Sequence, residues 1–280
     1  MDETELPPCA HRLLQEAVRR HTPCGDGHVA WHLWGEGEPV VMLHGGSGSW
    51  THWVRNIPAV VASGRMAAVP DLPGFGDSAQ PPGGGDADAV VAPLAAGMRT
   101  LLGEGAFTVA AFSFGSLVAA LLAAQQPRLV SRLLLVGAPV VPLRRGRGVE
   151  LRPWSRTSSP AERDAVHRHN LAAIMLHRKE SIDDEALALH ALNVPRDRMR
   201  RRKLVTTDAF ADAIRQLQCR YSAIYGEQDA LYRGMWPQVE DTLRMNRCFD
   251  GVTLVPDTGH WVQFEAAQRF DAWLERSLGP

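Results

Sequence analysis

FTVAAFSFGSLVAALLAAQQ, residues 107–126, passes within one short stretch from an apolar, β-branched run to a helical run rich in Ala and Leu. The change falls at Ser113, with Ala111 two residues before it and Gly115 two residues after. A strand that ends in a serine and reverses at once into a helix must strain that serine, and bulky neighbours would clash there. The usual form of this turn is G-x-S-x-G, and Ala stands here at its first small position. Ser113 is therefore a candidate nucleophile, with an ordinary tight turn as the plain alternative.

Outward from this stretch, other apolar runs repeat the pattern. VVMLHGG at 40–46 is unbroken, as expected of a strand covered on both faces of a parallel sheet. MAAVPDL at 66–72, LVSRLLLVGAP at 129–139, CRYSAIYG at 219–226 and DGVTLVPD at 250–257 read the same way, and HVAWHLWG at 28–35 alternates like a half-buried strand. Helices are expected at 11–20, 51–62, 88–103, 235–245 and 263–278, between and around these runs. Strands alternating with helices imply a mostly parallel, doubly wound α/β sheet. Residues 140–207 break the alternation, with helical stretches such as AERDAVHRHNLAAIMLHR and no convincing strand. They are expected to form a helical cap over the carboxyl edge of the sheet, where ligands bind in such folds. The core is then 1–139 and 208–280.

Composition excludes several classes. Apolar residues make up 45% and charged residues 22% of the 280, ordinary for a soluble globular chain. Lys plus Arg total 30 against 31 for Asp plus Glu, so no global field favours nucleic acid or a membrane surface. The run RDRMRRRK at 196–203 is read as the solvated face of a lid helix. Cys9, Cys24, Cys219 and Cys248 form no CxxC pair, which fits a reducing compartment better than disulfides or zinc. MDETELPPCAHRLLQEAVRR has no signal-like apolar run, and no window reaches membrane-span length, so a cytoplasmic location is expected. A homo-oligomer is left open.

A serine needs a base to take its proton, and the base needs a third group to fix its tautomer. Asp229 in AIYGEQDAL and His260 in VPDTGHWVQFE both follow apolar strands and come after the serine, in the order Ser, Asp, His. Singly, the bland alternatives are a helix N-cap for Asp229 and a loop histidine for His260. Asp257 is read as a turn residue, Asp71 as a stabiliser of its loop, and His44 as structural. A tetrahedral oxyanion also needs backbone donors. These are expected from Phe114, which opens the helix after the serine, and from LHGGSGSW, with Gly46 first and Ser47 second. The glycine loop lacks both G-x-G-x-x-G and the Lys-Ser/Thr of a P-loop, which argues against nucleotide binding.

Taken together, HGGSGSW, DLPGFGDS, FSFG, GEQD and GHWVQFE resemble the α/β-hydrolase superfamily over about 40–140 and 219–278. The resemblance implies the α/β-hydrolase fold with a helical cap inserted after the sixth strand, and a Ser113–His260–Asp229 triad needing no cofactor or metal. It also implies a Gly46/Phe114 oxyanion hole and a small-molecule substrate. Within the superfamily, HWVQFE looks closest to the meta-cleavage product hydrolases, which split carbon–carbon bonds, with Trp261 at their tryptophan position. Those enzymes carry Asn before the nucleophile, where Phe112 stands here. They also use a cap arginine, where IDDEALALHAL places His190; Arg196, Arg198 and Arg200 are substitutes. Phe112 and Phe114 suggest an apolar acyl group, so an ester is weighed equally with a C–C bond. Phe112, Ser47, Trp261 and His190 are expected at the substrate, with Met175, Leu176 and Trp154 on the lid side of the pocket. A slow-turnover ligand receptor and a cofactor-free lyase or oxygenase stay as alternatives.

Overall fold

The apolar runs become strands of one eight-stranded sheet: β1 (Val18–Cys24), β2 (Gly27–Trp34), β3 (Pro39–Leu43), β4 (Met66–Pro70), β5 (Phe107–Phe112), β6 (Val130–Val136), β7 (Arg220–Gly226) and β8 (Phe249–Val255). They lie in the order β1-β2-β4-β3-β5-β6-β7-β8. The structure is a computed structural model and describes residues 6–142, 149–199 and 201–279; Arg200 lies outside them. β2 runs antiparallel to β1 and β4, and the remaining pairings are parallel, as the alternation of strands and helices requires. The helices are α1 (Pro8–Glu16), α2 (Ile57–Ala62), α3 (Ala87–Leu102), α4 (Phe114–Gln125), α5 (Pro160–Asn170), α6 (Asp184–Asn193), α7 (Ala209–Arg215), α8 (Trp236–Leu243), α9 (Val262–Glu265) and α10 (Ala267–Leu278).

Every residue of β5 is buried, and its two-residue period sorts them between two cores. Val109 and Ala111 face Leu94 and Met98 of α3 and Leu117 and Val118 of α4. Ala110 and Phe112 face the other way, into the cluster of Trp53, Trp261 and Phe270. A fully buried Leu, Val or Phe contributes about 1.5–3 kcal/mol. The centre of the sheet is thus the firmest place to hang a reactive turn.

Several expectations need correction. The helix read at 11–20 ends at Glu16, and Val18 opens β1, a strand that the periodicity did not mark. β1 is an edge strand whose first four residues are exposed, so it carries no apolar alternation; its ladder to β2 alone defines it. The helix read at 51–62 is a 3-10 turn, Trp50–Trp53, followed by α2, which starts afresh with Pro58 in its first turn.

Between β6 and β7 the described residues contain α5, a π-helical turn at Leu171–Met175, α6, short 3-10 turns and α7. The basic run 196–203 is no lid helix in its described residues; it is a strap fastened to the core. The Arg196 guanidinium binds Asp77, and that of Arg198 reaches the carbonyls of Phe75, Gly76 and Ser78. The Arg198 N–H donates to the Gly74 carbonyl at 2.9 Å, and Asp86 takes the N–H groups of Lys203 and Leu204 at 2.5 and 2.9 Å. Arginine's planar fork suits such clusters of carbonyls and carboxylates.

Candidate active site

Ser113 follows the last residue of β5 and carries φ 50° and ψ −116°, outside the regions a side chain normally tolerates. The turn is held from both sides: the Ser113 N–H donates to the Val136 carbonyl at 2.8 Å, and the Ser116 hydroxyl to the Ala111 carbonyl at 2.6 Å. The small residue after the serine is a steric requirement. A Cβ on Gly115 would stand 2.4 Å from the His44 carbonyl oxygen, closer than any side chain can sit. Ala111, by contrast, lies in regular strand register opposite Leu43, which explains why Ala serves at the first small position.

The loops after β7 and β8 bring the expected partners to the serine. His260 Nδ1 lies 2.7 Å from Asp229 Oδ2, and His260 Nε2 lies 2.8 Å from Ser113 Oγ. Because a carboxylate only accepts, the Nδ1 proton faces Asp229, and Nε2 is left to accept from the serine hydroxyl. Asp229 is fully buried, and its other oxygen accepts the Leu231 N–H at 2.9 Å. Gly137, at φ 52°, makes room for the imidazole, since a Cβ there would lie 2.9 Å from His260 Cε1.

Beneath the serine, the glycine loop is fixed by its own polar groups. His44 Nε2 accepts the Leu72 N–H at 2.8 Å, so its proton sits on Nδ1 and is donated to the Gly45 carbonyl at 2.7 Å. Asp71 accepts the N–H groups of Trp50 and Asp77 at 2.9 and 2.8 Å, the loop-holding part expected of it. Gly45 gives its N–H to His52 Nδ1 at 3.2 Å, whereas Gly46, Ser47 and Phe114 line the space in front of Ser113. Accepting that bond puts the His52 proton on Nε2. Burial holds the imidazole neutral, its pKa well below the ordinary value, with His44, His190 and His260 adding to the effect.

The space itself is a cavity of about 360 Å³ whose floor includes Gly46, Ser47, His52, Ser113, Phe114 and His260. Its roof comes from the segment between β6 and β7: Arg152, Trp154, Met175, His190 and Arg202 among others. A groove of about 440 Å³ near Ser63 and Glu275 contains none of the floor or roof residues just named. Of the expected substrate-facing residues, Ser47, His190, Met175 and Trp154 line the cavity. Phe112, Trp261 and Leu176 do not. Phe112 turns to the far side of the sheet and backs the rings of His260 and His52, at centroid distances of 5.0 and 5.4 Å. Trp261 stacks on Phe264 at 4.1 Å and gives its indole N–H to the His52 carbonyl. Both support the floor from behind.

Of the candidate cap arginines, Arg196 and Arg198 are spent on the core loops, whereas Arg202 lines the cavity together with Arg152. A Cβ on Gly46 would meet the Arg202 Nη1 at 2.8 Å. Asp197 receives both the Arg202 guanidinium at 2.9 Å and the Ser47 hydroxyl at 2.6 Å. Sequence reasoning missed Arg202, Arg152, His52 and Gly137; only Gly137, a glycine directly after a strand, left a readable signal. Among the described residues no group of three His, Cys, Asp or Glu is placed to hold a metal ion, and no helix is long and apolar enough to cross a membrane.

With this geometry in place, comparison with known proteins is direct. The family described as the alpha/beta hydrolase fold matches residues 38–267. The chain belongs to the α/β-hydrolase family. This α/β-hydrolase is 49% identical over 47 residues to the 2-hydroxy-6-oxo-6-phenylhexa-2,4-dienoate hydrolase of Burkholderia cepacia, which is 16% of either chain. Over 258 residues it is 28% identical to the 2-hydroxymuconate semialdehyde hydrolase of Pseudomonas sp. (strain CF600), covering 85% of this chain and 86% of that one. The chain thus spans about a sixth of the first relative and most of the second. Among solved structures, a thermophilic esterase from Thermogutta terrifontis superposes with a TM-score of 0.75 at 20% identity, over 94% of this chain and 97% of that one. The likeness to that esterase is one of fold.

Proposed function

We propose that the chain is a serine hydrolase working without a cofactor, with Ser113 as nucleophile, His260 as base and Asp229 as the acid that orients it. The observation that carries this is the continuous hydrogen-bonded line Ser113–His260–Asp229, placed on a strained turn and opening into a cavity. Ser113 Oγ attacks the substrate carbonyl carbon while its proton passes to His260 Nε2. The imidazolium that forms is stabilised by the buried Asp229 carboxylate. The N–H groups of Gly46 and Phe114 receive the oxyanion. The bond to the leaving group then breaks, and His260 returns the proton to it: to an alkoxide oxygen for an ester, or to the departing carbon for a C–C bond. Water, deprotonated by His260, attacks the acyl-enzyme and frees Ser113.

The substrate is a small acyl compound bearing an acidic group. Arg152 and Arg202 line the cavity; Asp197 pairs with Arg202 from behind, and no carboxylate lines the cavity among the described residues. The curated relatives named above act on dienoates and semialdehydes, which supports C–C cleavage; an acid-bearing ester fits the same cavity. The test has two parts. A fluorophosphonate should label the wild type at Ser113, and a panel of aryl esters, short alkyl esters, lactones and a meta-cleavage dienoate should be turned over unequally. A dienoate preference of several orders of magnitude decides for the C–C bond. No labelling and no turnover on any of these would sink the proposal.

A further inference from the structure

Glu265, in the stretch HWVQFE, has a side chain with no exposure to solvent, yet it belongs to no part of the chemistry above. A buried carboxylate is costly unless it is hydrogen-bonded on all sides, so its partners reveal what it holds. On one side Glu265 Oε2 accepts the N–H of Gly259, the neighbour of His260, at 2.5 Å. On the other, the carboxylate accepts the N–H of His177 at 3.0 Å and of Arg178 at 2.7 Å, both from the segment between β6 and β7. The same two segments are joined again by the Trp261 N–H, which donates to the Met175 carbonyl at 2.8 Å. They touch so closely that a Cβ on Gly259 would lie 2.7 Å from the His177 nitrogen and 2.9 Å from the Met175 oxygen.

We propose that Glu265 is the positioning residue of the base: its carboxylate ties the His260 loop to the cap backbone at His177 and Arg178, so the seating of the cap sets where His260 stands. The proposal rests on Ser113 and His260 acting as nucleophile and base. Ile174 and Met175, three and two residues before His177, line the cavity. A substrate that packs against them bears on the segment that Glu265 links to the imidazole. The carboxylate suits this work because it accepts from three N–H groups at once; an amide of the same shape turns one acceptor into a donor facing an N–H.

The experiment uses the full chain, an aryl ester and a fluorophosphonate. E265Q should lower kcat, and the rate at which the phosphonate captures Ser113, by about ten-fold or more with KM within about three-fold, since a small displacement of a base costs rate before it costs binding. A second pair isolates the cap side. Arg178 has φ −84°, close to the value proline fixes, so R178P deletes the N–H that Glu265 accepts. R178A loses the same side chain and keeps the N–H. R178P should be captured by the phosphonate several-fold more slowly than R178A. Equal capture rates in the Arg178 pair, or an E265Q enzyme whose loss lies wholly in KM, overturn the proposal. A wild type that is neither labelled nor active removes the hydrolase reading first and the positioning role with it.

Discussion

The floor and the roof of the cavity satisfy their polar groups differently. On the floor, Ser113, His260 and Asp229 are bonded in line, His52 Nδ1 holds the Gly45 N–H, and His44 beneath uses both ring nitrogens. On the roof, His190 Nε2 is sealed from solvent without a hydrogen-bond partner among the described residues, and so are both nitrogens of His167, whose ring meets that of His190 edge-on. Buried polar groups are nearly always partnered in folded proteins, and a floor arranged this completely needs no reorganisation when charge develops. The roof keeps buried ring nitrogens for which the described residues supply no partner. On the proposed reading, the floor serves the reaction and the roof the choice of substrate.

The strongest way to break this contrast is to remove the floor. Ser113→Ala and His260→Ala should each reduce aryl-ester turnover by about 10⁴-fold or more, and Asp229→Asn by a similar factor through the wrong imidazole tautomer. Initial rates measure this, with circular dichroism showing an intact fold. An Asp229→Asn enzyme of wild-type activity would separate the aspartate from the function of the floor. Next in size, Gly115→Ala drives a methyl toward the His44 carbonyl and should cost about 2–3 kcal/mol in urea unfolding. An unchanged midpoint would show that the turn has slack.

The same contrast explains what could be read in the sequence. The floor is made at strand ends, where local chemistry writes it out: a serine between Ala111 and Gly115, an aspartate after β7, a histidine after β8. Each depends on a few neighbouring residues and on the order of the strands. The roof depends on contacts across more than a hundred residues. Arg202 reaches Gly46, and Arg55 of the core holds Asp183 and Glu185 at the start of α6, pairings that no spacing displays. β1 was missed for the related reason that an exposed edge strand has no apolar face to give it a period. Position along the chain does not tell which side of the sheet a ring takes, so the sequence points Phe112 and Trp261 at the substrate while both rings stand behind the floor.

A smaller effect sharpens the account of the roof. Burial pushes the His190 pKa down to about 3, with His167 adding to the shift. The unfolded chain, with an ordinary histidine, therefore binds the extra proton first as pH falls through about 6.5. Stability contributed by neutral His190 is whole above that pH and is lost progressively down to about pH 3. Relative to pH 7, wild type at pH 5 should lose about 2 kcal/mol more than His190→Gln, read from urea midpoints at the two values. Asp271, raised by burial to about 6, tilts stability the opposite way in an overlapping range. It does so equally in both proteins and drops out of the comparison. Identical pH dependence in the two would mean that the roof histidine takes up protons as freely as one in water.

The smallest predicted effect concerns Arg202, where roof and floor meet. Its guanidinium shares Asp197 with the Ser47 hydroxyl and stands over Gly46, so two roles compete: reading the charge of a substrate, or bracing the oxyanion loop. Arg202→Met distinguishes them. If it reads charge, KM for an acid-bearing ester rises about ten-fold while a neutral ester of the same size is little affected, the difference matching loss of one hydrogen bond to a charged group. If it braces the loop, Asp197 loses a counter-charge, Ser47 and Gly46 shift together, and kcat falls alike for both esters. The cavity lining favours charge reading, because Arg152 and Arg202 line it and Asp197, the partner of Arg202, does not. An equal fall in kcat on the two esters would move Arg202 from the roof's machinery of choice to the floor's machinery of reaction.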